Sequence, residues 1–355
     1  MPFYKDIDKN TGEGQRILNR LLMLRKELDA KIPVRTLNDT LLLATWNIRE
    51  FDSKAYGDRI PESYYYIAEI IDRFDLVAIQ EVREDLKALK RLRSVLGGFW
   101  KYLVTDVTEG RQGNNERMAF LYDSRTVRFG GLAGEIALPP IAHKNKGYEP
   151  VLQFARTPYI CGFTSGWARF MLSTVHILYG ESKPDDPRRI KEIKNIAQFL
   201  KKRSLEATAW AKNLIILGDF NIFSPGDSTM KALLDAGFTV PAALQSLPSN
   251  LKKDKHYDQI AFRVQPGRLE STGKSGVFDF CKTVFRDEDE KVYIPSMGSA
   301  YLKTKKGQTR SKKGKTTYYR SKWRTYQMSD HLPMWVELKI NYSEEYLKSK
   351  LIKTG

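Results

Sequence analysis

The sequence predicts an α/β (α+β) domain built on two stacked mixed β-sheets flanked by helices. Three observations carry that reading. From residue 41 onward, apolar runs of strand length alternate with longer runs of helical periodicity. The strand-like runs fall into two groups separated by helical pairs, as expected when two sheets share one core. The chain has 355 residues, 41% of them hydrophobic, which is enough to enclose a substantial core.

The elements follow in order. Residues 14–30 place Ile17, Leu18, Leu21, Leu22, Leu24 and Leu28 at helical spacing, and Pro33 ends this N-terminal helix. LLLATWN (41–47) reads as a buried strand. Pro61 opens a helix with Ile67, Ile70, Ile71 and Phe74 on one side. LVAIQE (76–81) is a second strand, and residues 84–96 form a helix closed by Gly97. Strands are then expected at 100–106, at 117–123, around 152–163 and at 168–177. Pro187 opens a long helix with Ile190, Ile193, Ile196, Ala197 and Leu200 facing inward. NLIILGDFN (213–221), YDQIAFR (257–263) and MWVELKI (334–340) complete the strands. The organisation expected is an N-terminal helical extension (1–40), a catalytic domain (41–342) with a basic insertion at about 270–327, and a short tail (343–355).

Composition narrows the function. No apolar run approaches the roughly 18 to 20 residues of a membrane span, so no membrane partner is expected. The first residues are polar and lack the apolar core of a secretory leader. Cys161 and Cys281 are the only cysteines, too few for a disulfide framework, and a cytoplasmic location is expected. The net charge is +17 and the isoelectric point about 9.6, which favours polyphosphate partners. Residues 302–324 concentrate this charge, with ten Lys and Arg, no acid, and Tyr318, Tyr319 and Trp323 interleaved.

Several apolar strands end in polar side chains. Asn47 follows LLLATW, Glu81 follows LVAIQ, His176 follows MLSTV, and Asp219 and Asn221 follow LIILG. Asp258 opens a strand, and Asp330 and His331 precede LPMWVEL. Carboxylates and imidazoles next to core strands must be paired or must bind a cation, because an unpaired buried charge is costly. Asp, Glu and Asn oxygens suit a hard cation, Mg²⁺ or Mn²⁺. Two histidines backed by carboxylates can donate hydrogen bonds or protons to a phosphate. No nucleophilic Ser or Cys motif and no G-x-x-x-x-G-K-[ST] loop is present, so metal-assisted attack by water is the simplest chemistry.

The ordered segments TWNIR (45–49), QEVRE (80–84), NERMAFLY (115–122), VH (175–176), GDFN (218–221), YDQI (257–260) and SDHLP (329–333) resemble the endonuclease/exonuclease/phosphatase superfamily, most of all its deoxyribonuclease I branch. The resemblance spans about residues 41–340. It implies a four-layered sandwich and a metal-dependent phosphodiester hydrolase, with nucleic acid, DNA above all, as partner. It implies Glu81 as the main metal ligand, with Asn47 and Asp330 near the same ion. Asp219 would orient or deprotonate the attacking water, and Asn221 would hold the phosphate or a second metal. His176 and His331 would stabilise the transition state or protonate the leaving oxygen, oriented by Glu116 and Asp258. Arg49, Arg83 and Arg156 match substrate-contacting arginines. His143 and His256 match no motif and read as surface residues.

Two departures stand out. Asn114 occupies the place of a groove-stacking tyrosine, and the interval from Asp258 to Asp330 is long for the family. The basic segment in that interval is expected to act as a nucleic-acid clamp, its lysines on phosphates and its aromatics stacking on an unpaired base. The shared core is also compatible with a phosphatase, a phospholipase-type phosphodiesterase or a non-catalytic nucleic-acid-binding module.

Overall fold

The computed structural model describes residues 1–351 apart from 52, 54, 111, 144–146 and 266. Its centre is a pair of facing sheets. The first comprises β1 (Thr40–Phe51), β2 (Leu76–Arg83), β3 (Trp100–Val104), β4 (Glu116–Asp123), β12 (Ser271–Val277) and β13 (Met334–Lys339), in the order β12-β13-β1-β2-β4-β3. The second comprises β5 (Arg128–Glu135), β8 (Tyr159–Ser165), β9 (Ala168–His176), β10 (Asn213–Asp219) and β11 (Asp258–Arg263), in the order β11-β10-β9-β8-β5. Both are mixed: β1 runs parallel to β2 and β9 parallel to β10, and the other pairings are antiparallel. A hairpin of β6 (Ile141–His143) and β7 (Gly147–Glu149) stands apart and exposed.

The period-two pattern of β1 explains the layering. Leu41 and Leu43 point into the core shared with the second sheet, together with Phe120, Phe163 and Leu172. Leu42, Ala44, Trp46 and Ile48 point the other way, onto α1 (Gly12–Lys31), α2 (Pro61–Ile71) and α3 (Lys87–Leu96). The outer face of the second sheet is covered by α4 (Pro187–Leu205), through Ile193, Ile196, Ala197 and Leu200, and by α5 (Ser228–Leu234). The result is helices, sheet, sheet, helices: the four layers expected. No helix among the described residues is long and apolar enough to cross a membrane.

Differences from the sequence reading have physical causes. The helix expected at 84–96 begins at Lys87, because Leu86 adopts a left-handed conformation (φ 55°) at its start. The strand expected around 152–163 covers only 159–165. β5 was not expected: RFGGLAGE is glycine-rich, and its side chains alternate between exposed and half-buried, so no apolar run marks it.

The basic segment differs most. It continues a series of short helices from Phe280 to Gln327, and its aromatics are core residues. Tyr318, Tyr319 and Trp323 are 6%, 0% and 1% exposed. Trp323 packs on Tyr293 and Phe285, with ring centroids 5.1 and 5.7 Å apart. These rings hold the insertion onto α1 and α2, and the expectation that they stack on a base is overturned.

Candidate active site

Strand register assembles the site. On the second sheet, His176, Asp219 and Asp258 occupy one row across β9, β10 and β11, so their side chains project from neighbouring positions. On the first sheet, Asn47 on β1 lies opposite Gln80 on β2. The register then slips, between Asn47 and Phe51 on β1 and between Ile79 and Val82 where β2 meets β4. Glu50 and Glu81 take positive φ values at these slips (44° and 62°). Such bulges re-aim side chains at strand ends, and the strained conformations are held by the packing around them.

Glu81 thereby faces its neighbours. Asn47 Nδ2 donates to Glu81 Oε1 (2.9 Å) and to Asp219 Oδ2 (3.0 Å), and the Glu50 amide donates to Glu81 Oε2 (2.7 Å). Burial raises the Glu81 pKa, and the charges of Glu116 and Asp330 raise it further. One ligand atom from each of Glu81, Glu116 and His176 lies within 4.8 Å of the others.

Glu116 sits in the opposite environment. It accepts from Asn114 Nδ2 (2.5 Å) and Arg156 Nε (2.8 Å), and lies 3.1 Å from His176 Nδ1. That last contact is an ion-pair distance without hydrogen-bond alignment. Burial opposes its ionisation, yet the charges of His176 and Arg156 win and hold the carboxyl at about 2.

The two histidines converge on Asp219. His176 Nε2 and His331 Nε2 lie 3.6 and 3.8 Å from the same oxygen, Oδ2. Asp219 Oδ1 accepts the amide of Asn221 (2.9 Å). His331 Nδ1 pairs with Asp258 Oδ2 at 2.8 Å, and Tyr257 lies against its ring at 5.4 Å. Burial works against a charged His331, but Asp258 and Asp219 prevail and push its pKa well above the ordinary imidazole value.

Nearly all the expected site residues thus share one end of the sandwich. Asp330 is half-buried and close enough to act on Glu81. Asn221, at φ 52°, spends its side-chain amide on the Ile177 carbonyl (2.8 Å). Arg83 donates to the Asn114 carbonyl (3.1 Å) beside Glu116. Arg156 uses only Nε on Glu116, and its other nitrogens have no hydrogen bond among the described residues. Arg49 turns to the insertion, where it donates to Thr325 Oγ1 (2.5 Å) and lies over the Tyr56 ring at 5.2 Å. His143 is exposed and pairs with Glu149, whereas His256 is half-buried.

Supporting residues escaped the sequence reading. Ser329 Oγ donates to the Asn47 carbonyl (2.6 Å) and accepts from the amides of His331 (2.9 Å) and Arg49 (3.3 Å), tying the end of β1 to the segment that carries Asp330 and His331. Glu192 on α4 accepts from the amides of Ala155 (2.7 Å) and Leu178 (2.9 Å), fixing the segments that carry Arg156 and His176. An acid beside Ile193 on the apolar stripe of α4 was the one available signal for Glu192.

The donor set fits a hard cation. Asn47 Oδ1 is buried without a hydrogen-bond partner among the described residues, beside a carboxylate that burial and like charges leave under-neutralised.

No family model matches the sequence. A deoxyribonuclease of Thioalkalivibrio sp. (strain K90mix) is 31% identical over 212 residues, 58% of this chain and 53% of that protein. The chain therefore spans about half the length of the curated relative it matches. Among solved structures, an endonuclease/exonuclease/phosphatase from Bacteroides vulgatus is 14% identical, with a TM-score of 0.51 over 85% of this chain and 99% of that one. D. rerio TDP2 complexed with a single-strand DNA product is 15% identical, with a TM-score of 0.49 over 84% and 98%. The fold is that of the endonuclease/exonuclease/phosphatase proteins. The ordered motifs resemble those of that superfamily, and the sequence relative is a deoxyribonuclease.

Proposed function

We propose that the chain is a metal-dependent phosphodiesterase, a nuclease acting on DNA. The observation that carries this reading is the convergence of two carboxylate-backed histidines on Asp219, next to the Glu81 cluster. Glu81, Asn47 and Asp330 would hold Mg²⁺ or Mn²⁺, with Glu116 at the edge of the same cluster. A bound divalent ion supplies Lewis-acid polarisation of a phosphoryl oxygen and acidifies water.

The protein groups divide the remaining work. Asp219, held by the Asn221 amide and the Asn47 side chain, aligns the attacking water and accepts its proton. His331, kept protonated by Asp258, presents Nε2 to the charge that develops on phosphate. His176, backed by Glu116, presents Nε2 from the other side of Asp219. Asn221 steadies the turn that carries Asp219 and borders the phosphate. Arg83 and Arg156 flank Glu116 and supply positive charge to the strand. DNA as substrate is supported by the deoxyribonuclease relative and by the net charge of +17. Cys161 and Cys281 are both free thiols, which suits a reducing compartment such as the cytoplasm.

The test is plasmid cleavage under metal titration with wild type and Glu81→Gln. Wild type is expected to cut with Mg²⁺ or Mn²⁺ and to stop in EDTA. Glu81→Gln is expected to be inactive while melting like wild type. Full cleavage in EDTA, or by Glu81→Gln, overturns the reading.

A further inference from the structure

Between residues 55–57 and the insertion lies an open cavity of about 1150 Å³. Lys303, Lys305, Arg310, Lys313 and Lys322 line it, and no acidic residue does among the described residues. The four lysines are exposed and have no carboxylate within ion-pair distance among the described residues. Other cations of the same segment are neutralised: Arg320 and Arg324 pair with Asp287 at 3.2 and 2.6 Å. The fold therefore gathers like charges around one concavity and leaves them unpaired, an arrangement that a polyanion relieves.

The cavity begins where the active site ends. Tyr56 and Lys322 are in its wall, and Arg49, two residues beyond Asn47, reaches Tyr56 and the carbonyl of Ser321 (3.5 Å). Its dimensions restrict the occupant. Pockets for drug-sized molecules measure roughly 300–1,000 Å³, so this one takes a few nucleotides of one strand. A single turn of duplex far exceeds that volume and does not enter. Tyr318 in the wall is covered and lies under Arg310 at 4.7 Å, so the grip falls on phosphates and not on bases.

We propose that this cavity holds a single-stranded stretch of nucleic acid contiguous with the scissile phosphate, bound through its phosphates irrespective of sequence. The direction of approach rests on the phosphodiesterase reading above, but binding can be tested without turnover. The full-length variant Lys303→Gln/Lys305→Gln/Lys313→Gln is compared with wild type. Binding of a single-stranded oligonucleotide and of a blunt duplex is measured in EDTA across a salt series. Hydrolysis of a small chromogenic phosphodiester is measured with Mg²⁺ or Mn²⁺.

Three lost phosphate contacts should flatten the single-strand salt slope by about 2, at roughly 0.7 per contact. Duplex binding should change less, and melting temperature and small-ester turnover should match wild type. An unchanged single-strand slope overturns the proposal. An equal loss for duplex and single strand overturns the single-strand assignment. Binding of these lysines to anionic phospholipid vesicles but not to oligonucleotide assigns the cavity to a membrane surface and also overturns it. A wild type that binds strand through these lysines but hydrolyses neither DNA nor the small ester keeps the cavity and sinks the phosphodiesterase reading.

Discussion

Strands β2 and β4 carry a pair of acids at each end, and the two ends are treated in opposite ways. At one end, Asp75 and Asp123 are fully buried and share Arg35, at 2.8 and 2.7 Å, with Arg125 adding a second cation to Asp123. Asp75 also accepts from the Leu42 amide and the Thr126 hydroxyl. At the other end, Glu116 has Arg156 and His176, but among the described residues Glu81 has only an amide side chain and a backbone N–H as donors. The first end is electrostatically complete. The second is left deficient by one positive charge at Glu81. Folding alone gains nothing from that deficiency, because an under-neutralised buried carboxylate costs stability. The contrast separates an ion-pair network that holds the sheet from a cluster that awaits a cation.

The sharpest way to break the comparison is at the histidines above the deficient end. His331→Ala and His176→Ala are each expected to lower DNA-cleavage turnover by roughly 10² to 10⁴, the range for acid–base and charge-stabilising groups. Asp258→Asn should lower it less, because it removes only the group that orients and charges His331. Steady-state kinetics on plasmid and on a small phosphodiester check this. Turnover within a factor of two of wild type in either histidine variant would remove the shared-phosphate arrangement.

Much of this end was legible in the sequence, because polar residues at the ends of apolar strands are costly unless used. Asn47, Glu81, His176, Asp219 and Asp258 all broke a strand pattern, and all lie in the cluster. What stayed hidden depends on three-dimensional register. The bulge that turns Glu81 inward involves ordinary residues, IREF against QEVR, with no glycine to announce it. Ser329 acts through backbone atoms of β1 and of His331, and although it opens the SDHLP motif, an uncharged serine there does not announce that role. The aromatics of residues 302–324 misled for a related reason. Their interleaving with lysines is the pattern of an amphipathic helix packed by its rings as much as of a base-stacking surface. Only the neighbours Phe285 and Tyr293 decide between them.

The complete end should answer to substitution in the opposite sense. Asp75→Asn leaves Arg35 with one carboxylate and leaves a single amide oxygen to serve either Arg35 or the Leu42 amide. Breaking one side of a buried pair costs about 3–5 kcal/mol, so denaturant unfolding should show a loss of that order. Cleavage per folded molecule should be unchanged. Glu81→Gln should show the reverse, with activity gone and stability kept. If Asp75→Asn lost activity without losing stability, the division between a structural and a functional end would be wrong.

The smallest effect expected is in the acid limb of stability. Burial disfavours the Asp123 carboxylate, but the hydrogen bonds from Arg125 and Arg35 outweigh it and hold its pKa well below the usual carboxylate range. A folded pKa below the unfolded value means that the folded state binds its proton later. Stability from this group is therefore fully present above the unfolded value, about 3.9, and is lost as pH falls through the lower folded value. Asp123→Asn removes that term. It should melt below wild type at pH 7, and the gap should narrow as pH drops below about 4, since wild type alone then loses the contribution. Thermal melts from pH 7 down to pH 2.5 read the gap directly. A gap that stays constant across that range would mean that Arg35 and Arg125 hold Asp123 no better folded than unfolded. The end of the sheet described as complete would then be bound by packing and not by charge.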